Sequence, residues 1–212
     1  MAGIISEKDT HCPMQKIQKN QLFIHCTSGL ILALISGIFY FLSYRINQLT
    51  DSWAIYSTGI SLIFLPAGIK HIAILVGKGW GALGCGMTLY LMAAEYWVGE
   101  PPHKVLGYAL TSIAGTWIGI TLSLRLLGIG SDLAQLKFIH LPLMDLITVT
   151  THGLLANAYL VGTGMKTSAL VSNALAMMVG DFTGSFIVMM LLLGGMRLKA
   201  YLNAPRSSLR QP

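Results

Sequence analysis

The sequence predicts an all-α, polytopic integral membrane helix bundle of about six transmembrane helices with both termini in the cytoplasm. Of its 212 residues, 54% are hydrophobic and only 10% are charged, a composition unlike that of a water-soluble domain. Each span needs about 20 mostly apolar residues, so six spans use most of the chain. We therefore expect one membrane domain, 1–212, with no room for a separate catalytic domain.

Six apolar windows follow one another, separated by short connections that contain Gly, Pro, Asn or charged residues. The predicted spans are 22–44, 53–77, 80–98, 105–127, 139–162 and 168–194. A break at Pro66 would split the second span, so six to eight helices fit the pattern. Outside the spans lie an N-terminal cytoplasmic segment, 1–21, and a basic cytoplasmic tail, 196–212.

The basic residues predict the orientation. With a cytoplasmic N-terminus, ten of the 14 fall on the cytoplasmic side and three, Arg45, Lys104 and Lys166, on the other; Lys70 lies inside a span. Cytoplasmic loops carry such an excess of Lys and Arg. We predict a multi-pass protein of the bacterial cytoplasmic (inner) membrane, surrounded by lipid bilayer, and no nucleic-acid partner.

Polar and charged side chains inside the spans are the candidate site residues. They are Lys70, Glu95, Asp145, Thr148, His152, Asn157, Asn173 and Asp181. A charge at the bilayer centre costs at least ~2.5–3.5 kcal/mol, so such groups face the bundle interior, pair, or border water. The predicted depths bring Lys70 within reach of Asp145 and Asp181, whereas Glu95 lies too far outward to be a good partner.

The fifth span carries a polar stripe, because Asp145, Thr148, His152, Ala156 and Tyr159 recur at intervals of three and four residues. Three interpretations stay open. The polar residues form a network that only fixes helix register, with Lys70 on Asp145 or Asp181 and His152 donating to a carbonyl; they line a ligand or ion pocket; or they relay protons.

Small residues and Pro66 predict close helix packing. The predicted packing positions are Pro66, Gly68, Gly81, Gly115, Gly119, Gly180 and Gly184. Trp117 lies mid-span beside two glycines and either fills the space they leave or lines a cavity.

The sequence lacks the signatures of common enzymes. It has no HExxH or GxSxG motif, and its GxGxxG match at 79–84 follows no strand. Its three cysteines form no metal-binding or disulfide pattern. We expect no catalytic residues, no metal, no cofactor and no enzymatic activity.

The order of several short motifs resembles the bacterial membrane-associated sensor domain of MASE type. The similar stretches are Leu65-Pro66-Ala67-Gly68, Gly79-Trp80, Arg125 to Gly128, the amphipathic segment from Asp132 to Phe138, and Gly180-Asp181-Phe182-Thr183-Gly184. The chain departs from the family at Leu65, Lys70 and His71, and it ends shortly after the last span, where the family usually continues into a kinase or cyclase. The resemblance implies a sensing membrane domain that signals to an output protein.

We therefore expect a non-enzymatic, sensor-like or accessory membrane module that binds a small ligand in an intramembrane polar pocket. Its partner would be another membrane or cytoplasmic protein, either an output protein or a larger membrane complex. Two alternatives stay open: the substrate-binding membrane component of a transporter, and a structural subunit of a larger membrane complex.

Overall fold

The computed structural model describes residues 12–49, 51–57, 59–166 and 169–203. Its elements are α1 (Cys12–Gln48), α2 (Asp51–Ala54), β1 (Ile55–Ser57), β2 (Ile60–Ser61), α3 (Leu65–Tyr96), α4 (Pro102–Leu126), α5 (His140–Gly162) and α6 (Leu170–Asn203). Parts of both predicted terminal segments, 1–11 and 204–212, lie outside the described residues. The adjoining parts of those segments, 12–21 and 196–203, belong to α1 and α6.

The all-α prediction is confirmed in its coarse form. Among the described residues, four helical stretches are long and apolar enough to cross a membrane: His25–Gln48, Leu65–Tyr96, Pro102–Leu126 and Leu170–Met196. α5 does not reach the same hydropathy, although its 23 residues would suffice in length. Its Asp, His, Asn and Thr side chains account for this, because they lower the mean hydropathy of the helix.

The second predicted span, 53–77, is wrong as a continuous helix. Its first half contains α2 and an antiparallel pair, β1 and β2, and only its second half is helical. Pro66 stands in the first turn of α3, where a missing N–H does no harm. The β1–β2 segment and 62–64 enter the bundle as non-helical chain, and the Phe64 N–H donates to the Gly180 carbonyl of α6 at 3.0 Å.

α3 reverses its direction at Lys78, which has φ 49° and ψ −129°. Gly81 lies directly against the Ala73 carbonyl, whereas residues eight apart in one straight helix are separated by about 12 Å. Lys70 and Leu89 also line the same small cavity. α3 therefore has a first arm, 65–77, and a second arm, 79–96, that pack antiparallel, and together they cover part of the second predicted span and most of the third.

α1 packs parallel to the second arm of α3. Gly29 lies against the Trp80 ring, Ala33 against Gly84, and Gly37 against Thr88. The contacts advance by four residues on each helix, so small side chains form one ridge and the backbones approach closely. Arg45 and Glu95 form an ion pair near the ends of these helices, with Nη2 and Oε1 3.1 Å apart.

α4 and α5 form an antiparallel pair whose packing depends on glycine. Gly119 lies against the Thr148 backbone and Gly115 against that of His152. The Tyr159 hydroxyl donates to the Lys104 carbonyl at 3.0 Å near the other end. The packing of α5 against α4 turns one face of α5 toward α4 and brings the polar stripe of α5 into the interior.

α6 closes the bundle against α5 and the first arm of α3. Gly68 of α3 lies against Ser185 and Val188 of α6. Gly180 and Gly184 of α6 receive the carbonyls of Ser61 and Phe64, which belong to the non-helical entry segment. The six predicted glycines thus lie at close contacts, five of them between elements and Gly81 between the two arms of α3.

Candidate functional site

A chain of four buried polar side chains joins four helical segments at the bundle centre. Lys70 comes from the first arm of α3, Ser112 from α4, His152 from α5 and Asp181 from α6, and each is at most 3% exposed. Ser112 Oγ lies 2.8 Å from His152 Nε2, and His152 Nδ1 lies 2.6 Å from Asp181 Oδ2. Lys70 Nζ lies 3.4 Å from Ser112 Oγ and 3.3 Å from His152 Nε2. We call these residues the Lys70–Asp181 chain.

One set of donors accounts for the contacts from Lys70 through Ser112 and His152 to Asp181. His152 donates from Nδ1 to the Asp181 carboxylate, which leaves Nε2 as an acceptor for the Ser112 hydroxyl. Lys70 then donates to the Ser112 oxygen. This assignment pairs a positive lysine with a negative aspartate through a neutral serine and a neutral imidazole, so two buried charges are compensated without direct contact.

Ser112, His152 and Asp181 contact one another in the same sequence as the residues of a Ser–His–Asp catalytic triad. However, Lys70 Nζ lies beside both the Ser112 hydroxyl and His152 Nε2, where a substrate would have to approach. The adjoining cavity measures about 20 Å³, close to the space that one water needs. In this conformation the cavity is smaller than an acyl substrate.

A second polar cluster is formed by residues of three of the same helices, α3, α5 and α6. His71 Nδ1 lies 2.6 Å from Asp145 Oδ1, and Ser185 Oγ lies 3.2 Å from the same nitrogen. His71 Nε2 and Asp145 Oδ2 are buried without a hydrogen-bond partner among the described residues. We call these three residues the His71–Asp145 cluster.

The two clusters together contain more acid than lysine. Lys70 is the single buried lysine among the described spans, while Asp145 and Asp181 are both buried. With both carboxylates ionised and both imidazoles neutral, one negative charge would remain uncompensated in a low-dielectric interior. One further proton, held on an imidazole or a carboxylate, makes the site neutral.

Two small cavities with some lining residues in common lie at this site and toward one end of the bundle. A cavity of about 30 Å³ lies among Asn47, Tyr96 and Trp97 and shares Ile60, Ser61 and Phe64 with the cavity beside Lys70. The Tyr40 hydroxyl borders the inner cavity and has no hydrogen-bond partner among the described residues. An unpaired hydroxyl beside a water-sized space is typical of a buried water site.

The predicted site residues fall into two groups. The structure brings Lys70, His152 and Asp181 together and puts Asp145 beside them, but Asp145 contacts His71 and not Lys70. His152 donates to a carboxylate and not to the expected carbonyl. Of the two predicted partners, Asp181 is thus the one that Lys70 reaches, through His152.

The remaining predicted residues lie outside the two clusters. Glu95 pairs with Arg45 and is 45% exposed. Thr148 donates to the Met144 carbonyl of its own helix. Asn157 donates to the Gly153 carbonyl at 2.8 Å and lies 3.4 Å from Met177 Sδ, and Asn173 is buried at the start of α6.

Sequence reasoning left out four residues of the site: Ser112, His71, Ser185 and Tyr40. A serine raises little suspicion in an apolar window, since its hydroxyl often bonds to the backbone of its own helix. His71 was visible as a departure from the apolar pattern of the first arm. Nothing in the sequence indicated Ser112, because its partner belongs to another helix.

No cluster of three or more His, Cys, Asp or Glu side chains that could hold a metal ion occurs in the part of the chain that the structure describes. No family model, curated protein or solved structure matches the chain. The geometry of the two polar clusters is therefore the main evidence on function.

Proposed function

We propose that this chain is a sensor-like or accessory membrane module, in which the Lys70–Asp181 chain is the element that changes state and a partner protein responds. The resemblance to membrane sensor domains of MASE type supports this proposal. The stretch around Gly180 and Asp181 that carries the resemblance also supplies the carboxylate of the polar chain.

The observation that carries the proposal is the connectivity of the buried chain. Lys70, Ser112, His152 and Asp181 come from four different helical segments, so a change in any one hydrogen bond alters how those segments pack. Buried polar networks of this kind have few alternative arrangements, each with its own packing. Such an element can pass a local change to the bundle surface, where a partner binds.

The ligand that fits this site is a proton or a water molecule. The cavity beside Lys70 has room for little more than one water, and neutralising the two clusters takes one proton beyond that on Lys70. A larger ligand in the polar pocket would require the entry segment 55–64 to move.

The proposed membrane arrangement has six crossings with both termini on the cytoplasmic side. The reversal at Lys78 supports it, because each arm of α3 then crosses separately, the first together with the entry segment. α5 completes the count, since its polar stripe faces the protein interior. The bacterial inner membrane is the location that the distribution of basic residues favours.

Co-purification in mild detergent tests the proposal. The wild type is compared with Asp181→Asn, which alters the polar chain, and with Glu95→Gln, which makes the same chemical change at an exposed pair. We expect a kinase, cyclase or other output protein to be recovered, and Asp181→Asn alone to change its recovery or activity. Because Asp181→Asn is expected to be less stable, recovery and activity are compared per mole of folded chain after gel filtration. Unchanged recovery and activity per folded chain would show that the network does not signal to the partner.

One observation favours the transport alternative. The first arm of α3 begins inside the bundle after a non-helical stretch, and such discontinuous helices form substrate sites in many transporters. Recovery of an ATPase in the same experiment, together with thermal stabilisation of the chain by a transported solute, would support this alternative. A stoichiometric large membrane enzyme would instead indicate a structural subunit.

A further inference from the structure

A groove of about 350 Å³ lies between the first arm of α3 and the second half of α4, away from the two polar clusters. Its walls are apolar and include Ile74, Ile120 and Leu124, while Trp117 forms one side with 39% of its surface exposed. The volume is within the range of small-molecule sites. Trp117 therefore lines a cavity, one of the two roles that its mid-span position allowed.

Two basic residues border this groove. Lys78, at the turn of α3, and Arg125, in the last turn of α4, both line it and are exposed. Neither forms an ion pair with a carboxylate of the described residues. The groove thus combines an apolar slot with two cationic groups at residues that have no acidic partner.

Two neighbouring grooves provide a comparison within the same molecule. One, of about 480 Å³, lies between α1 and the second arm of α3, and another, of about 380 Å³, lies between that arm and α4. Neither has a charged residue in its lining. They suit any acyl chain, whereas the groove at Lys78 and Arg125 also provides charge for an anionic headgroup.

We infer that the groove between the first arm of α3 and α4 binds an anionic phospholipid, with one acyl chain beside Trp117 and the phosphate at Lys78 and Arg125. Basic pockets between transmembrane helices are known to hold anionic headgroups in this manner. Arg125 also lies near the carbonyl end of α4, which a cation stabilises. That role alone explains neither the apolar slot nor the second cation at Lys78.

Quenching of Trp117 fluorescence tests the inference. The full chain is placed in nanodiscs in which brominated phosphatidylglycerol or brominated phosphatidylcholine is increased over the same series of mole fractions. The quenching of Trp117 is the difference between the wild type and Trp117→Phe. We expect phosphatidylglycerol to quench at a concentration on the order of tenfold lower than phosphatidylcholine.

Charge-matched variants identify the residues responsible. Lys78→Gln with Arg125→Gln should abolish the preference for phosphatidylglycerol, because both headgroup contacts are lost. Lys104→Gln with Lys199→Gln removes the same charge elsewhere and should retain it. Equal quenching by the two lipids in the wild type, or a preference that survives in the Lys78 and Arg125 double variant, would overturn the inference. Lys78 and Arg125 are both exposed, and gel filtration verifies the fold of each variant.

Discussion

Asp181 and Lys70 are the charged ends of the Lys70–Asp181 chain, and neither reaches bulk water. Removing one end leaves the other charge buried without compensation, which typically costs about 3–5 kcal/mol. We expect Asp181→Asn and Lys70→Met each to be strongly destabilised, and the double variant to be destabilised by less than the sum. Thermal or denaturant unfolding in detergent measures the coupling in a double-mutant cycle.

The exposed pair Arg45–Glu95 provides the control for this cycle. Both side chains are nearly half exposed, and exposed ion pairs contribute about 0–1 kcal/mol. Arg45→Gln and Glu95→Gln should therefore have small, nearly additive effects. If the buried pair also proves additive, Lys70 and Asp181 are independent and the assigned donor chain is wrong.

Lys166 lies outside the spans, in the connection between α5 and α6, where its Nζ donates to Ser57 Oγ at 3.0 Å. Partial burial disfavours the charged amine and lowers the pKa of Lys166 from its ordinary value of 10.5 to about 8. Between these two pH values the unfolded chain binds more protons than the folded chain. The stability contributed by this residue therefore rises with pH from 8 toward 10.5.

Lys166→Gln removes this titration. We expect the difference in melting temperature between wild type and Lys166→Gln to move in favour of the wild type as the pH is raised from 7 to 10. Tyrosines and other lysines titrate in both proteins, so their effects cancel in the difference. A difference in melting temperature that stays constant over this range would show that the pKa of Lys166 is not lowered in the folded protein.

At the scale of single residues, the sequence predicted which charges are buried better than it predicted their partners. Lys70, Asp145 and Asp181 were identified because a charge in an apolar window is conspicuous. Their pairing depends on helix rotation, which positions Asp145 beside His71 and leaves Lys70 to Ser112 and His152. Spacing along one helix does not determine that rotation.

At the scale of whole elements, the parallel contact between α1 and the second arm of α3 depends on small side chains. An added Cβ at Gly84 would collide with the Ala33 carbonyl, whereas at Gly86 it would meet only Ile113 at an ordinary 3.4 Å. We expect Gly84→Ala to destabilise the protein by about 1–3 kcal/mol. Gly86→Ala should be neutral or slightly stabilising, because alanine favours the helix.

Thermal unfolding in detergent measures both glycine variants. They alter the same helix by the same methyl group, so a difference between them reports the interface with α1 and not helix propensity. Equal melting temperatures would mean that α1 does not pack on this arm as closely as described.

The segment before α3 shows what hydrophobic pattern alone does not predict at the scale of elements. Its apolar residues predict a helix, although Ile55–Ser57 and Ile60–Ser61 form a short antiparallel pair.

At the scale of the whole molecule, the helical membrane class could be predicted from composition, since few other structures satisfy such an apolar chain in lipid. The path of the chain could not be predicted as readily. The predicted spans 53–77 and 80–98 leave a connection at 78–79, and the structure reverses there, but Lys78 takes a positive φ that favours glycine. The structure thus has the predicted reversal, but about half of the predicted span before it, 53–77, is not part of the long helix α3.

Chemical labelling of introduced cysteines discriminates between a reversal and a single crossing at α3. If α3 were one straight helix of 32 residues, it would measure about 48 Å and Lys78 would lie in the hydrocarbon region. If the chain reverses, Lys78 lies at the same surface as Lys137. In a background without the three native cysteines, we expect a membrane-impermeant maleimide to label Lys78→Cys and Lys137→Cys from the cytoplasmic face.

Two further variants are the controls of this labelling experiment. Val98→Cys should be labelled from the opposite face, and Leu91→Cys from neither face. An unreactive Lys78→Cys together with a reactive Lys137→Cys would contradict the six-crossing arrangement.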